Sequence, residues 1–177
     1  MSLSFLTLPD SILSSPYLSA LLPLTIGNLI GFFTRPRNTY RHLHQPPLSP
    51  PAWIFAPVWS LLYLSMGLSS YLAFPSSRSP LYTLQLLLNF AWMPLFFGLS
   101  WTRVALVDCA ALTGCVGLLI RQWWGVDRRA GLLLVPYFGW AAFATYLTAQ
   151  VGRMNGWDVV TAPEKRGRGK EGREKKE

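Results

Sequence analysis

Amide and aromatic side chains inside long apolar runs are the first residues in this sequence that could support a specific chemistry. Gln85, Asn89 and Trp92 follow one another at i, i+4 and i+7, which is the spacing of a single helix face. An amide in an apolar surrounding needs a hydrogen-bond partner, because an unpaired polar group there is costly. These three side chains are therefore candidates for one binding surface.

Two other apolar runs carry aromatic side chains at helical spacing. One places Phe55, Trp59 and Tyr63 at i, i+4 and i+8. The other has a similar stripe, which consists of Tyr137, Trp140, Ala144 and Leu147. Three such faces suit a flat, largely apolar ligand with a few polar groups, while ordinary core packing is the alternative. Each run also contains a proline that bends the helix and leaves room beside it, namely Pro57, Pro94 and Pro136.

Groups that usually mark an enzyme are sparse. The sequence has no glycine-rich phosphate loop, no nucleophile paired with a base and no histidine cluster. His42 and His44 have no neighbouring Cys or carboxylate, which favours solvated loop side chains over metal ligation. Cys109 and Cys115 would lie about 9 Å apart along a helix, too far for a disulfide. We predict no acid–base or metal-dependent catalytic residues, no metal and no required cofactor.

Asp108 is the only acidic residue inside the apolar runs. It lies about one turn from the start of the fourth run, and this place predicts a structural ion pair with Arg103 or another loop arginine. A proton relay is the alternative, but no second acid or histidine lies within these runs to accept the proton. The sequence therefore argues against a proton-coupled pump.

The elements that position these residues follow from composition. Hydrophobic residues make up 51% of the 177 residues and charged residues only 14%, whereas a soluble protein has about 25% charged residues. Too little charge is present to cover a water-facing surface. A cytosolic enzyme and a nucleic-acid-binding module are both disfavoured, and we expect the lipid bilayer as the partner.

Five apolar runs are long enough to cross about 30 Å of hydrocarbon as helices. They predict an all-α membrane protein, a bundle of five transmembrane helices within residues 1–155. None of the runs shows the two-residue alternation of a membrane barrel. The predicted spans are residues 16–34, 52–74, 80–102, 104–120 and 130–151.

The ends of the chain and the loops give an orientation. Most Lys and Arg residues lie between the first two spans and after the fifth, which places these segments and the C-terminus in the cytosol. The first run lacks a positive n-region, so we expect it to be retained rather than cleaved. Residues 156–177 are predicted to be a disordered basic tail, either simply solvated or attracted to an acidic partner. Gly27 and Gly31 permit close helix contact, in the bundle or in a homodimer.

At this point the motifs resemble those of the translocator protein, or tryptophan-rich sensory protein, family. The segment from Pro50 to Trp59, reading PPAWIFAPVW, is similar to the family signature. The similarity extends over about residues 16–155. It continues in later segments at the family's spacing, through Tyr63, Gln85, Asn89, Trp92, Asp108, Pro136-Tyr137, Trp140 and Phe143-Ala144-Thr145.

The resemblance implies a five-helix bundle that binds tetrapyrroles such as protoporphyrin IX, with sterols as ligands of animal members. It implies a pocket among the helices beneath the first loop. Matched residue by residue, and with Tyr63 added from its place on the same face, the expected ligand-binding residues are Ala56, Trp59, Tyr63, Gln85, Asn89, Trp92, Trp140, Ala144 and Leu147. For a eukaryotic source the resemblance implies the mitochondrial outer membrane, although plant members occupy secretory membranes.

Two other functions stay open. Bacterial relatives are associated with light-dependent porphyrin degradation, for which Trp59 and Trp140 match the implicated tryptophans. An interaction protein that recruits partners through its basic tail is the third reading. The sequence also departs from the family's sterol motif, since Thr148-Ala149-Gln150 replaces the expected stretch and Tyr146 lies too far from Arg153. This departure lowers the expected affinity for sterols.

Overall fold

The computed structural model describes residues 7–34, 40 and 43–157. Its described part is helical without strands, and five of the helices are long and apolar enough to cross a membrane. The predicted all-α membrane fold is therefore confirmed. The helices are α1 (Asp10–Leu13), α2 (Pro16–Thr34), α3 (Ala52–Leu72), α4 (Pro80–Met93, continued by one π-helical turn, Pro94–Gly98), α5 (Thr102–Trp124) and α6 (Arg128–Met154).

The helix ends differ from the predicted ends because an apolar run and the helix that contains it do not end at the same residues. Arg103 was predicted to be the break between the third and fourth spans, but it lies in the first turn of α5. The break is instead at residues 99–101, where Ser100 has a positive φ of 57°. At the other end, α5 continues past Arg121 to Trp124. The predicted tail begins at residue 156, and all but its first two residues lie outside the described residues.

The helices follow one another around the bundle in the order α2, α3, α6, α5 and α4, and contacts between α4 and α2 close it. The consecutive helices α3 and α4 therefore do not pack along each other, whereas α3 packs along α6. Two serines of α3 bond to α6, since the Ser65 hydroxyl donates to the Leu133 carbonyl at 2.5 Å and the Ser69 hydroxyl donates to the Ala130 carbonyl at 2.6 Å. These bonds give the two hydroxyl groups partners, which lipid could not provide.

Close approach of α2 and α3 depends on two glycines. A Cβ atom on Gly67 would collide with the backbone of Ser19, and one on Gly27 would collide with the ring of Tyr63. Gly27 is therefore used for packing inside the bundle. Formation of a homodimer stays a prediction.

The outer surface of the bundle is apolar, as a lipid-facing surface must be. Tyr17 and Phe33 of α2 are 77% and 76% exposed, and Val107 of α5 is 70% exposed. The interior instead holds large side chains that are almost fully buried, including Tyr82, Trp123 and Tyr137. A soluble protein would also bury such side chains, but it would not expose apolar side chains over so much of its surface.

The two ends of the bundle carry different loops. At one end Arg78 forms an ion pair with Asp10 at 2.7 Å. At the other end the backbone of His44 is bonded to the side chain of Asn155. These contacts agree with the predicted grouping of loops on two sides of the membrane.

Candidate ligand site

An apolar cavity of about 80 Å³ lies among α3, α4 and α6 at the end of the bundle that carries the first loop. Its walls are almost entirely carbon atoms, which come mainly from aromatic and small aliphatic side chains. The lining residues are Tyr40, Ala52, Phe55, Trp59, Trp92, Met93, Phe96, Phe97, Ala144, Leu147, Thr148 and Val151. We call this space the apolar cavity.

The π-helical turn at the end of α4 forms one wall of the apolar cavity. The Leu99 N–H donates to the Pro94 carbonyl at 2.9 Å, which is the i to i+5 bond of a π-helix. This wider turn brings Phe96 and Phe97 to the wall together, with Phe96 stacked on Trp92 at 5.4 Å between ring centroids. Single π-turns of this kind are frequent at functional sites.

Residues of α6 at i, i+3, i+4 and i+7 form the facing wall, and they are Ala144, Leu147, Thr148 and Val151. The small side chain of Ala144 leaves the space open. The Trp92 indole N–H donates to the Thr148 hydroxyl at 3.2 Å, and that hydroxyl donates to the Ala144 carbonyl at 2.8 Å. Trp92 is thereby fixed across the apolar cavity.

A buried series of hydrogen bonds, which we call the polar chain, lies deeper in the bundle. The Tyr63 hydroxyl donates to Asn89 Oδ1 at 3.0 Å, and Asn89 Nδ2 donates to the Tyr137 hydroxyl at 2.8 Å. The Tyr137 hydroxyl in turn donates to Gln85 Oε1 at 3.0 Å. Trp59 lies between this chain and the apolar cavity, with its ring 5.6 Å from that of Tyr63 and 6.4 Å from that of Tyr137.

The polar chain limits which of the predicted residues have a hydrogen-bonding group free for a ligand. Both amide atoms of Asn89 and the hydroxyl of Tyr63 are already paired within the protein. Among the predicted ligand-binding residues, two buried N–H groups have no partner in the described residues, Gln85 Nε2 and Trp140 Nε1. They are the groups that could donate to a ligand carbonyl or carboxylate without breaking an existing bond.

The predicted ligand-binding residues occupy three different settings. Trp59, Trp92, Ala144 and Leu147 line the apolar cavity. Tyr63, Gln85 and Asn89 belong to the polar chain. Ala56 is exposed on α3 and does not line the apolar cavity. Trp140 lies behind Phe55, with 5.8 Å between ring centroids. Of the two tryptophans matched to photo-oxidation, one therefore lines the cavity. Ligand contact by all these residues stays a prediction.

The first loop, residues 35–51, joins α2 to α3, and its described residues lie over the apolar cavity. The Tyr40 ring contacts Phe55 edge to face at 5.3 Å, and the Tyr40 hydroxyl donates to the Pro50 carbonyl at 3.0 Å. Partial burial raises the pKa of the Tyr40 phenol above its ordinary value, so it remains a neutral donor at physiological pH. Arg35, Arg37, Arg41 and His42 lie outside the described residues.

Sequence reasoning missed seven of the lining residues, namely Tyr40, Ala52, Met93, Phe96, Phe97, Thr148 and Val151. The signal for the two phenylalanines was present, since Pro94 and Leu95 are followed by an aromatic pair and a glycine. A proline in a helix marks a place where the regular bonding pattern changes. Tyr40 could not be found in this way, because the loop brings it to the cavity through tertiary contacts.

The other candidate reactive groups do not assemble into a site. Asp108 is 8% exposed, and its Oδ2 atom has no partner in the described residues. The predicted ion pair does not form with Arg103, which lies instead over the Trp157 ring at 5.6 Å. A pair with a loop arginine outside the described residues stays a prediction. The described residues contain no group of His, Cys, Asp and Glu able to hold a metal. Cys109 and Cys115 are free thiols, as their spacing predicts.

Comparison with known proteins supports the resemblance seen in the motifs. The TspO/MBR family matches residues 19–154. The translocator protein homolog of Schizosaccharomyces pombe is 42% identical over 139 residues, 73% of this chain and 85% of the relative. The human translocator protein is 40% identical over 128 residues, 67% of this chain and 76% of the relative. The tryptophan-rich protein TspO of Archaeoglobus fulgidus is 37% identical over 146 residues, 77% and 94% of the two chains. The chain therefore belongs to the TspO/MBR family.

Proposed function

We propose that this protein binds a flat, largely apolar ligand of the tetrapyrrole class, such as protoporphyrin IX, within the membrane. The observation that carries the proposal is the apolar cavity walled by Phe55, Trp59, Trp92 and Phe96. Aromatic rings on several sides suit the faces of a macrocycle better than a flexible acyl chain, because stacked rings add specific geometry to apolar contact.

The size of the cavity sets a condition on this function. Sites for drug-sized ligands occupy about 300–1,000 Å³, whereas the apolar cavity encloses about 80 Å³. A macrocycle therefore requires the first loop and the ends of α3, α4 and α6 to separate. On such widening, displacement of Trp59 would join the cavity to the polar chain, and Gln85 Nε2 would become an available donor.

A sterol is a second candidate ligand, and its apolar body also suits the cavity walls. The altered segment at Thr148 argues for weaker sterol binding than porphyrin binding. We also propose that the C-terminus faces the cytosol and that, in a eukaryotic cell, the protein resides in the mitochondrial outer membrane. Protease protection of a C-terminal tag on isolated mitochondria tests both statements.

Two tryptophan variants test the ligand site. In an absorbance titration of the detergent-solubilised protein with protoporphyrin IX, Trp59→Phe should weaken binding more than Trp140→Phe. The reason is that Trp59 lines the cavity, whereas Trp140 lies behind Phe55. Porphyrin absorbance is followed because each variant removes a fluorescent indole.

The titration also has outcomes that count against the proposal. A folded wild-type protein without saturable binding would refute a tetrapyrrole site. An effect confined to Trp140→Phe would place the ligand elsewhere among the helices.

A further inference from the structure

The side chain of Asn155 joins the end of the last helix to the first loop. The His44 N–H donates to Asn155 Oδ1 at 3.0 Å, and Asn155 Nδ2 donates to the His44 carbonyl at 2.9 Å. The same Nδ2 also donates to the Val151 carbonyl at 2.8 Å, within α6. One amide thus pairs with both backbone groups of a residue 111 positions away in sequence. We call these two bonds to His44 the Asn155 tie.

The Asn155 tie lies beside the cover of the apolar cavity. Leu43, next to His44, is 7% exposed and packs with Phe96, Ala105 and Val151. Two of these residues, Phe96 and Val151, line the cavity. The Asn155 tie therefore holds the backbone next to a side chain that packs against the cavity wall.

The other side-chain hydrogen bonds of the described part of the loop are internal to it, and its remaining side-chain contacts with the bundle are apolar. Gln45 Nε2 donates to the Tyr40 carbonyl at 2.6 Å, and the Tyr40 hydroxyl donates to the Pro50 carbonyl. Both bonds join the loop to itself, so neither holds it to the bundle. Within the part of the loop that the structure describes, the Asn155 tie is the hydrogen-bonded link to the end of α6.

We propose that Asn155 is a positioning residue that holds residues 43–51 of the first loop against the bundle, so that breaking the Asn155 tie controls access to the apolar cavity. Asparagine suits this role because its amide offers a donor and an acceptor to one backbone residue. The proposal deepens the function proposed above, since a cavity of about 80 Å³ must open before a macrocycle can occupy it. The tie itself can be tested without any ligand.

Hydrogen exchange at the His44 amide measures the tie directly. Asn155→Gly removes both bonds, so exchange should accelerate about tenfold or more. Asn155→Asp keeps an acceptor for the His44 N–H and should give an intermediate rate. Met154→Ala, at the neighbouring exposed position, serves as the control and should leave exchange unchanged. Equal exchange in Asn155→Gly and the wild type would overturn the proposal.

Thiol labelling measures access to the cavity without porphyrin. In a background of Cys109→Ala and Cys115→Ala, an Ala144→Cys variant is treated with an anionic, membrane-impermeant methanethiosulfonate reagent. Adding Asn155→Gly should raise the labelling rate about tenfold, because the open state becomes more populated. A labelling rate that does not change would refute control of access by Asn155, even if exchange at His44 increased.

Porphyrin kinetics separate this inference from the proposed function. In Asn155→Gly the association and dissociation rates for protoporphyrin IX should both rise, with a much smaller change in Kd. A purely structural role would instead lower the thermal unfolding temperature and leave the rates in the folded fraction unchanged. If the wild type binds no porphyrin, the proposed function fails, and the labelling experiment alone decides the role of Asn155.

Discussion

Tyr137 is the central residue of the polar chain, because its hydroxyl is shared by two amide side chains of α4. It accepts from Asn89 Nδ2 and donates to Gln85 Oε1. Its side chain is fully buried, so no water is available to replace either bond. Tyr63, at one end of the polar chain, makes a single hydrogen bond to Asn89. The two tyrosines should therefore differ in their contribution to stability.

Replacement of Tyr137 by phenylalanine leaves two buried polar groups unpaired, and we expect it to lower the free energy of unfolding by about 1–3 kcal/mol. Tyr63→Phe removes one bond and should cost less. Unfolding of the detergent-solubilised variants, followed by circular dichroism, measures both effects. A larger loss in Tyr63→Phe than in Tyr137→Phe would contradict this hydrogen-bond order.

The sequence predicted which amides lie inside the bundle, but it did not predict their partners. Helical spacing placed Gln85 and Asn89 on one face, and their cost in lipid implied buried bonds. The partners come from α3 and α6, and their identity depends on how the helices rotate against one another. That rotation is set by packing details such as Gly67, which periodicity does not describe.

At the scale of elements, the contact between α2 and α3 depends on a glycine. Gly67 is buried in α3, and a Cβ atom there would lie against the backbone of Ser19 and Ala20. Backbone cannot rotate away as a flexible side chain can, so the two helices would have to separate. Such overpacking typically costs about 1–3 kcal/mol.

Gly67→Ala should accordingly lower the thermal unfolding temperature in detergent, although alanine is the better helix former. Gly114→Ala on α5 is the matched control, because no atom lies within 4 Å of the added Cβ there. We expect Gly114→Ala to leave stability unchanged or to increase it. Equal effects of the two substitutions would show that the close α2–α3 contact does not form.

The number and order of the helices followed from apolar run length, whereas their ends depended on local chemistry. At the start of α6, the Asp127 side chain accepts from the Arg129 N–H at 2.8 Å, so the helix begins before its apolar stripe. At the end of α4, the π-turn from Pro94 to Gly98 replaces regular helix. Charged residues mark the first place and a proline marks the second, but hydropathy alone does not show how the backbone responds to them.

At the scale of the whole molecule, the bundle is apolar outside and holds the hydrogen-bonded amides of α4 inside. The cavity lies at one end, beneath the loop held by Asn155, and the Asp10–Arg78 ion pair lies at the other. This asymmetry suits a protein that takes up a ligand from one side of the membrane. The sequence predicted the lining tryptophans Trp59 and Trp92, while the loop cover required the tertiary structure.

A titration with protoporphyrin IX, comparing a cavity-filling variant with its lipid-facing neighbour, tests the central claim most directly. Ala144→Phe places a ring inside the apolar cavity, whereas Ala142→Phe adds the same ring on the exposed side of α6. With helical content verified for both variants, Ala144→Phe should weaken binding at least about tenfold, and Ala142→Phe should bind as the wild type does. Wild-type affinity in a folded Ala144→Phe protein would show that the ligand does not occupy this cavity.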